Sequence, residues 1–283
     1  DYNYSYINDK LSRARQVTEQ KLEMVFPFRG LSSSWSFNLA AITHKEQDEI
    51  LKAGATAEPD YVDNVAGVAL VYDSTTRPIK SISRTQGRTI SLVVEDSDAI
   101  SGSDFSGKVS WGDWREFIRL GGEHVLAVRY VEGKADQTAR AFRLGGNSNN
   151  EILVSSVNNP IFGSPFEKRS YNLRGYPEGL PQLRGHRMRL ASAEYRFPLA
   201  RIERGIMVPP IGLDKIHANL FYEAGVTWEE TEEPDPYYRS YGAELNIDAV
   251  IFYSLPVQLS LGYAKGLDEG GEEQAYLRLG ASF

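Results

Sequence analysis

The feature that most narrows what this chain can fold into is period-two alternation of apolar and polar residues, sustained over runs of about 9–14 residues. Successive side chains of a strand point to opposite faces, so such a run builds a strand with one apolar and one polar side. From Lys215 to Trp228, one face carries Ile216, Ala218, Leu220, Tyr222, Ala224, Val226 and Trp228. The other carries Lys215, His217, Asn219, Phe221, Glu223, Gly225 and Thr227. The next runs repeat the pattern. Tyr241, Ala243, Leu245 and Ile247 oppose Gly242, Glu244, Asn246 and Asp248; Val257, Leu259, Leu261 and Tyr263 oppose Gln258, Ser260, Gly262 and Ala264. Finally, Ala275, Leu277, Leu279, Ala281 and Phe283 oppose Gln274, Tyr276, Arg278 and Ser282. Upstream, apolar faces recur at Leu22–Phe28, Trp35–Ala41, Ala66–Tyr72, Ile90–Val94, Leu126–Tyr130 and Ala191–Leu199. Val109–Leu120 is noisier, because Glu116 would share a face with Trp114 and Ile118. With a stub at Tyr2–Tyr6, the chain reads as about twelve strands, an even number as bacterial membrane barrels have.

These runs exceed the usual strand of ~5–6 residues and are long enough to cross a bilayer at a tilt. No stretch approaches the roughly 18 apolar residues of a transmembrane helix. Composition alone (41% hydrophobic, 24% charged) looks like that of an ordinary soluble protein, but alternation dilutes the apolar signal of a barrel strand. A soluble sandwich, propeller or lipocalin-like barrel also alternates, with its apolar face inside. Three features favour hydrocarbon outside instead. Formal charge sits mid-strand on the polar face (Glu223, Glu244, Asp248, Arg278), aromatic residues gather near the ends of the apolar faces, and Phe283 ends in phase with its apolar face. The connections alternate too. Short turns at Phe28–Ser32, Leu120–Gly122 and Ser254–Pro256 are interleaved with long acidic connections at Lys45–Asn64, Glu95–Gly107, Glu229–Arg239 and Leu267–Glu273. Asp73–Gly87 and Ala200–Asp214 are longer than a short-turn rim ideally carries.

The chain opens on Asp1-Tyr2-Asn3-Tyr4 without an initiator Met or a signal segment, as though cut from something longer. It contains no Cys, which fits the oxidising bacterial envelope. A net charge of −7 argues against nucleic-acid binding.

From Gly163 onward the order of motifs resembles the BamA/TamA superfamily of outer-membrane assembly factors, also called the bacterial surface antigen barrel. Tyr171-Asn172-Leu173-Arg174-Gly175-Tyr176 resembles the Arg-Gly-aromatic motif of that family's long loop, and Leu144-Gly145-Gly146 resembles the approach to it. Gly185 and Ala193-Glu194-Tyr195-Arg196-Phe197-Pro198-Leu199 resemble the following strand, and Phe221-Tyr222-Glu223-Ala224-Gly225 the one after. Upstream, Leu70-Val71-Tyr72-Asp73-Ser74-Thr75-Thr76-Arg77-Pro78 with Gly87-Arg88 resembles a recurring strand and turn. The likeness spans Val65 to Phe283. It implies an all-β, transmembrane, antiparallel up-and-down barrel occupying residues 1–283, incomplete at its N-terminal side. The family's sixteen strands leave either about four outside this chain or a smaller barrel. Residues 135–187 would form a long loop folded into the lumen. Leu173, Arg174, Gly175 and Tyr176 would be its motif, Glu194, Arg196 and Glu223 its inner-wall partners, and Phe283 the terminal-strand signal. The family usually has Asp where this chain has Glu223, so both Glu223 and Glu194 stand as the partner of Arg174. Leu173-Arg174-Gly175-Tyr176-Pro177 with Glu194–Leu199 also resembles members that follow a TolB-like propeller.

A guanidinium presents a rigid fork of donors to a carboxylate, so an Arg174 pair would either brace a plug or take part in gating. His44, His124, His186 and His217 lack metal-ligand spacing, and Glu95–Asp104 lacks the grammar of a calcium loop. No metal or cofactor is expected. Lys134–Arg143 and Arg184–Arg189 place basic groups around the long loop, either along a path for anionic cargo or neutralising inward acids. No nucleophile elbow, HExxH or phosphate loop is present, so an enzyme is not expected. The expected function is insertion or translocation of polypeptides or related cargo at the bacterial outer membrane without an energy source. The alternative is a passive anchor or pore presenting a soluble periplasmic domain. Expected partners are outer-membrane lipids and lipopolysaccharide, with unfolded polypeptide or periplasmic subunits and no nucleic acid.

Overall fold

The computed structural model describes residues 2–7, 10–50, 59–78, 80–146, 164–208, 210–229, 236–252 and 254–280. The strands are β1 (Tyr2–Ile7), β2 (Lys10–Arg29), β3 (Ser34–Ile50), β4 (Tyr61–Asp73), β5 (Gly87–Asp96), β6 (Lys108–Gly121) and β7 (His124–Ala135). Three short ones follow: β8 (Phe142–Leu144), β9 (Ser170–Tyr171) and β10 (Arg184–Gly185). Then come β11 (Arg187–Ile206), β12 (Ile211–Trp228), β13 (Tyr238–Ile251), β14 (Leu255–Gly266) and β15 (Glu273–Gly280). Among the described residues, β1–β7 and β11–β15 form one twelve-stranded sheet in chain order. Every neighbouring pair in it is antiparallel. This is the wall of an up-and-down transmembrane β-barrel. Tyr253, Ala281 and Phe283 lie outside the described residues.

The two faces of the wall invert the soluble pattern. Leu220 is 50% exposed, Leu92 54% and Leu277 65%, while Asp63, Glu244 and Asp248 are buried. A contiguous apolar surface of this extent is stable only against hydrocarbon or a partner. Outward aromatic side chains gather at both strand ends. Phe28, Trp35 and Tyr72 mark the short-turn rim, with the Trp35 and Tyr72 rings 4.5 Å apart. Tyr130, Tyr241 and Tyr263 lie toward the long-loop rim. Amphipathic rings sit at the two membrane–water boundaries in this way.

Three local features of the sequence find their explanation here. Glu116 does face outward beside Trp114, but it lies opposite Arg88 on β5 and pairs with it at 3.1 Å near the short-turn rim. Ala200–Asp214 is not a long connection. β11 and β12 continue toward each other as far as Ile206 and Ile211. Register shifts at Pro198/Ala200 and Arg201/Arg204 disturb the alternation there, which hides the strand from a period-two reading. Asp73–Gly87 is long, and it folds inward rather than hanging free. Ser81 and Ile82 are buried, and Lys215 on β12 donates to the Ser81 carbonyl at 2.8 Å.

Candidate functional site

The described parts of the segment between β7 and β11, residues 136–146 and 164–186, lie against the inner face of the wall. Its parts β10, β8 and β9 form a three-stranded sheet of their own, with β8 antiparallel to β10 and parallel to β9. Two chemically different surfaces receive it.

The first surface is apolar. Phe142, Leu144, Phe166, Tyr171, Leu173 and Leu183 from the loop are buried together with Val65, Val93, Trp111, Val131 and Leu190 from the wall. Inward glycines make the sockets. A Cβ at Gly133 on β7 would come within 2.6 Å of the Phe142 ring. A Cβ at Gly67 on β4 would meet Phe166 at 2.7 Å, and one at Gly225 on β12 would meet Leu144 at 2.8 Å. A glycine inside a strand marks a place where another group approaches closely. Inward glycines are the sequence signal for this surface: the alternation places Gly225 on the inner face without giving it a role, and it does not single out Gly67 or Gly133. Buried charge accompanies the apolar packing. Arg140 pairs with Glu167 and lies 3.6 Å from Asp63, and Arg169 pairs with Glu95. Burial works against charge on Arg140, yet Glu167, Tyr61 and Asp63 outweigh it and hold its pKa above the ordinary arginine value. Glu95 is therefore buried beneath the loop, not solvated in the outer connection that follows it.

The second surface is charged and receives the loop motif. Gly175 has φ +84°, and a Cβ there would lie 2.5 Å from the Gly266 backbone nitrogen, so glycine permits both the turn and the close approach. Leu173 and Tyr176 are fully buried on either side. The Tyr176 hydroxyl donates to the Arg239 carbonyl at 2.9 Å. Arg174 lies between them, above Phe221, with its guanidinium carbon 3.5 Å from the ring centroid. Its Nε donates to Glu223 at 2.9 Å, Nη1 to Glu244 at 2.9 Å and Nη2 to Glu194 at 2.8 Å. Its backbone N–H also donates to Glu223, at 2.8 Å. Neighbouring strands β11, β12 and β13 thus each supply one carboxylate. Arg196 donates to the other oxygen of Glu194 at 2.6 Å. Burial disfavours a charged Arg174, but Glu223, Glu194 and Glu244 together place its pKa well above the ordinary value.

Glu223 and Glu194, the two alternatives of the sequence reading, thus both contact Arg174. Glu244 joins them as a third partner that sequence reasoning registered only as a mid-strand charge. The network does not stop at the loop. The Glu244 oxygen that accepts from Arg174 also accepts from Tyr276 at 2.5 Å and from Arg278 at 2.7 Å. Both of those residues are on β15, and β14 lies between β15 and β13. The Tyr276 ring crosses β14 where Gly262 leaves room, since a Cβ there would lie 2.2 Å from the ring. Three arginines and three glutamates balance in this cluster. The Arg fork, three carboxylates and a tyrosine thus bond the loop to β11, β12 and β13 and, through Glu244, to β15.

Of the other sequence candidates, His186 bonds Glu229 at 2.6 Å, His44 bonds Glu46 at 2.9 Å and His124 bonds Tyr195 at 2.7 Å. His217 lies 3.9 Å from Asp248. In the 97–107 connection the polar groups serve the loop itself. Asp104 accepts from the Val62 N–H, Asp98 from the Gly107 N–H, and Asp63 from Ser97 and Ser103.

No protein-family model matches the chain, and no curated protein matches it in sequence. Its fold matches solved structures. One is the crystal structure of BamA from Haemophilus ducreyi lacking POTRA domains 1–3, with a TM-score of 0.55 at 14% identity. The match covers 96% of this chain and 55% of that one, so the chain spans about half the length of that structure. Nothing in these comparisons supports a link to a TolB-like propeller. The chain has a fold similar to the BamA barrel.

Proposed function

We propose that this chain is the barrel portion of an outer-membrane assembly factor, of sixteen strands when closed, which inserts or translocates polypeptides or related cargo without an energy source. The observation that carries the reading is the shared Glu244 carboxylate. It joins Arg174 at the loop tip to Tyr276 and Arg278 on the terminal strand of the sheet. A barrel of this class works through a weakly paired seam whose edge templates an incoming strand. A lumenal loop bonded to the same carboxylate as the terminal strand is placed to stabilise that strand in one position and release it in another. The BamA-like fold and the apolar outer face support the outer membrane as its location, and lipids and unfolded polypeptide as its partners. The roles assigned to Arg174, Glu194, Arg196 and Glu223 are positional, not catalytic.

The test is a disulfide lock between β15 and the strand that closes the barrel against it in the full-length protein. Insertion of a substrate barrel into liposomes is then measured with the lock oxidised and reduced. Loss of activity on oxidation and recovery on reduction are expected. Unchanged activity with a verified lock would remove the gate and leave the passive anchor or pore, in which the same six charges only brace a plug.

A further inference from the structure

One cluster of charge serves neither surface of the loop. Lys134 on β7 lies opposite Arg187 on β11, and Glu132 lies opposite Arg189, all at the long-loop ends of their strands. Their register is that of Tyr130 and Ala191, so they project from the outer face of the wall and not into the lumen. Arg189 bonds Glu132 at 3.0 Å and lies 5.2 Å from the Trp228 ring centroid. These basic groups flank an outward groove of about 780 Å³ whose sides are aliphatic, notably Val68, Leu70, Leu92 and Val94. The floor of the groove is low because β6 presents only Ser110 and Gly112 there.

We infer that this groove binds a phosphorylated lipid of the surrounding leaflet, its acyl chain in the aliphatic trough and its headgroup phosphate on Lys134, Arg187 and Arg189. The inference rests on the membrane reading and deepens it. Charge complementarity carries it: three cations and one carboxylate meet in a chain of net charge −7, at the long-loop ends of their strands, which the membrane reading sets at headgroup level. Guanidinium suits phosphate bidentately, and five donors are not exhausted by the bonds from Arg189 to Glu132 and Tyr237. The phosphate joins this ion-pair network and does not fill a vacancy. The groove and the cations are contiguous, so one amphiphile spans both, which free phosphate does not.

The test uses the folded full-length protein in an uncharged detergent, titrated with diphosphoryl lipid A and followed by native mass spectrometry. Saturable binding is expected, weakened about tenfold or more in the K134Q/R187Q/R189Q variant and for a dephosphorylated lipid. Ser110→Phe, which fills the trough and keeps every charge, should weaken it comparably. This second variant decides the matter if the triple one does not fold. Equal binding by the folded variants, non-saturating adducts, or displacement by inorganic phosphate alone would overturn the inference. A spin label at Leu92 separates the two levels of the argument. A label in hydrocarbon without saturable lipid binding overturns the lipid site alone, whereas a label in water overturns the membrane reading with it.

Discussion

The inner wall has two halves that hold one loop by different means: apolar packing with buried ion pairs beside it on one, and a shared charge network on the other. On β4, β6 and β7 the loop is held by shape, with Phe166 and Phe142 set over Gly67 and Gly133 and a buried apolar cluster around them. On β11, β12, β13 and β15 it is held by charge, through Arg174, three glutamates and the Tyr276–Arg278 pair. Apolar packing is non-directional and tolerates a small displacement. A forked guanidinium on three carboxylates is satisfied in one arrangement only. On the proposed reading, the shape half secures the loop and the charged half ties it to β15 through the shared Glu244 carboxylate.

The largest expected effect breaks the charged half. Arg174→Ala leaves three carboxylates, buried Glu223 and Glu244 and half-buried Glu194, without their shared cation, a loss on the order of 3–5 kcal/mol. It should also raise the mobility of β15, read from a nitroxide at Leu277, before global unfolding. Equal stability of variant and parent would show that the cluster is not a joint. A smaller effect is expected from the shape half. Gly133→Val drives a side chain into the Phe142 ring and should cost about 1–3 kcal/mol. The nitroxide at Leu277 should be unmoved, because among the described residues that half has no hydrogen bond or ion pair to β15. If both variants loosen β15 alike, the division of labour fails.

The smallest effect concerns pH. Burial raises the pKa of Glu167, but Arg140, Arg169 and His44 outweigh it and hold it below the ordinary 4.5. A carboxyl depressed on folding contributes stability above its unfolded pKa and loses it as pH falls through the folded value. Protease resistance of the 164–187 segment should therefore stay constant from about pH 8 to 6 and fall only below the ordinary glutamate range. A midpoint near neutrality would mean that Glu167 is not the group whose protonation loosens the segment.

The contrast between the halves also explains what could be read from residues alone. β12–β15 alternate cleanly because their inner face meets polar groups, as with Asn219, Glu223, Glu244 and Asn246. Upstream the contrast is weaker: β4 and β6 carry apolar residues on both faces, and on β6 Glu116 also interrupts the outward one. Val65, Ala69, Val109 and Trp111 face the loop, while Val68, Leu70 and Ile118 face outward. The loop motif was legible as a local run of residues. Glu244 was not, since its bonds to Arg174 and Arg278 span 70 and 34 residues and no local pattern encodes them. The strand ends beyond Leu199 were lost to register shifts, which break the period on which the reading depended.

Everything rests on which face of these strands meets hydrocarbon. A nitroxide scan of residues 216–223 on β12, in the full-length protein reconstituted in lipid vesicles, tests it directly by collision with oxygen and with a water-soluble nickel chelate. The account predicts a period of two, with positions 216, 218, 220 and 222 open to oxygen and closed to nickel, and position 219 shielded from oxygen. Nickel access at 220 and 222 equal to that of a loop site would contradict it.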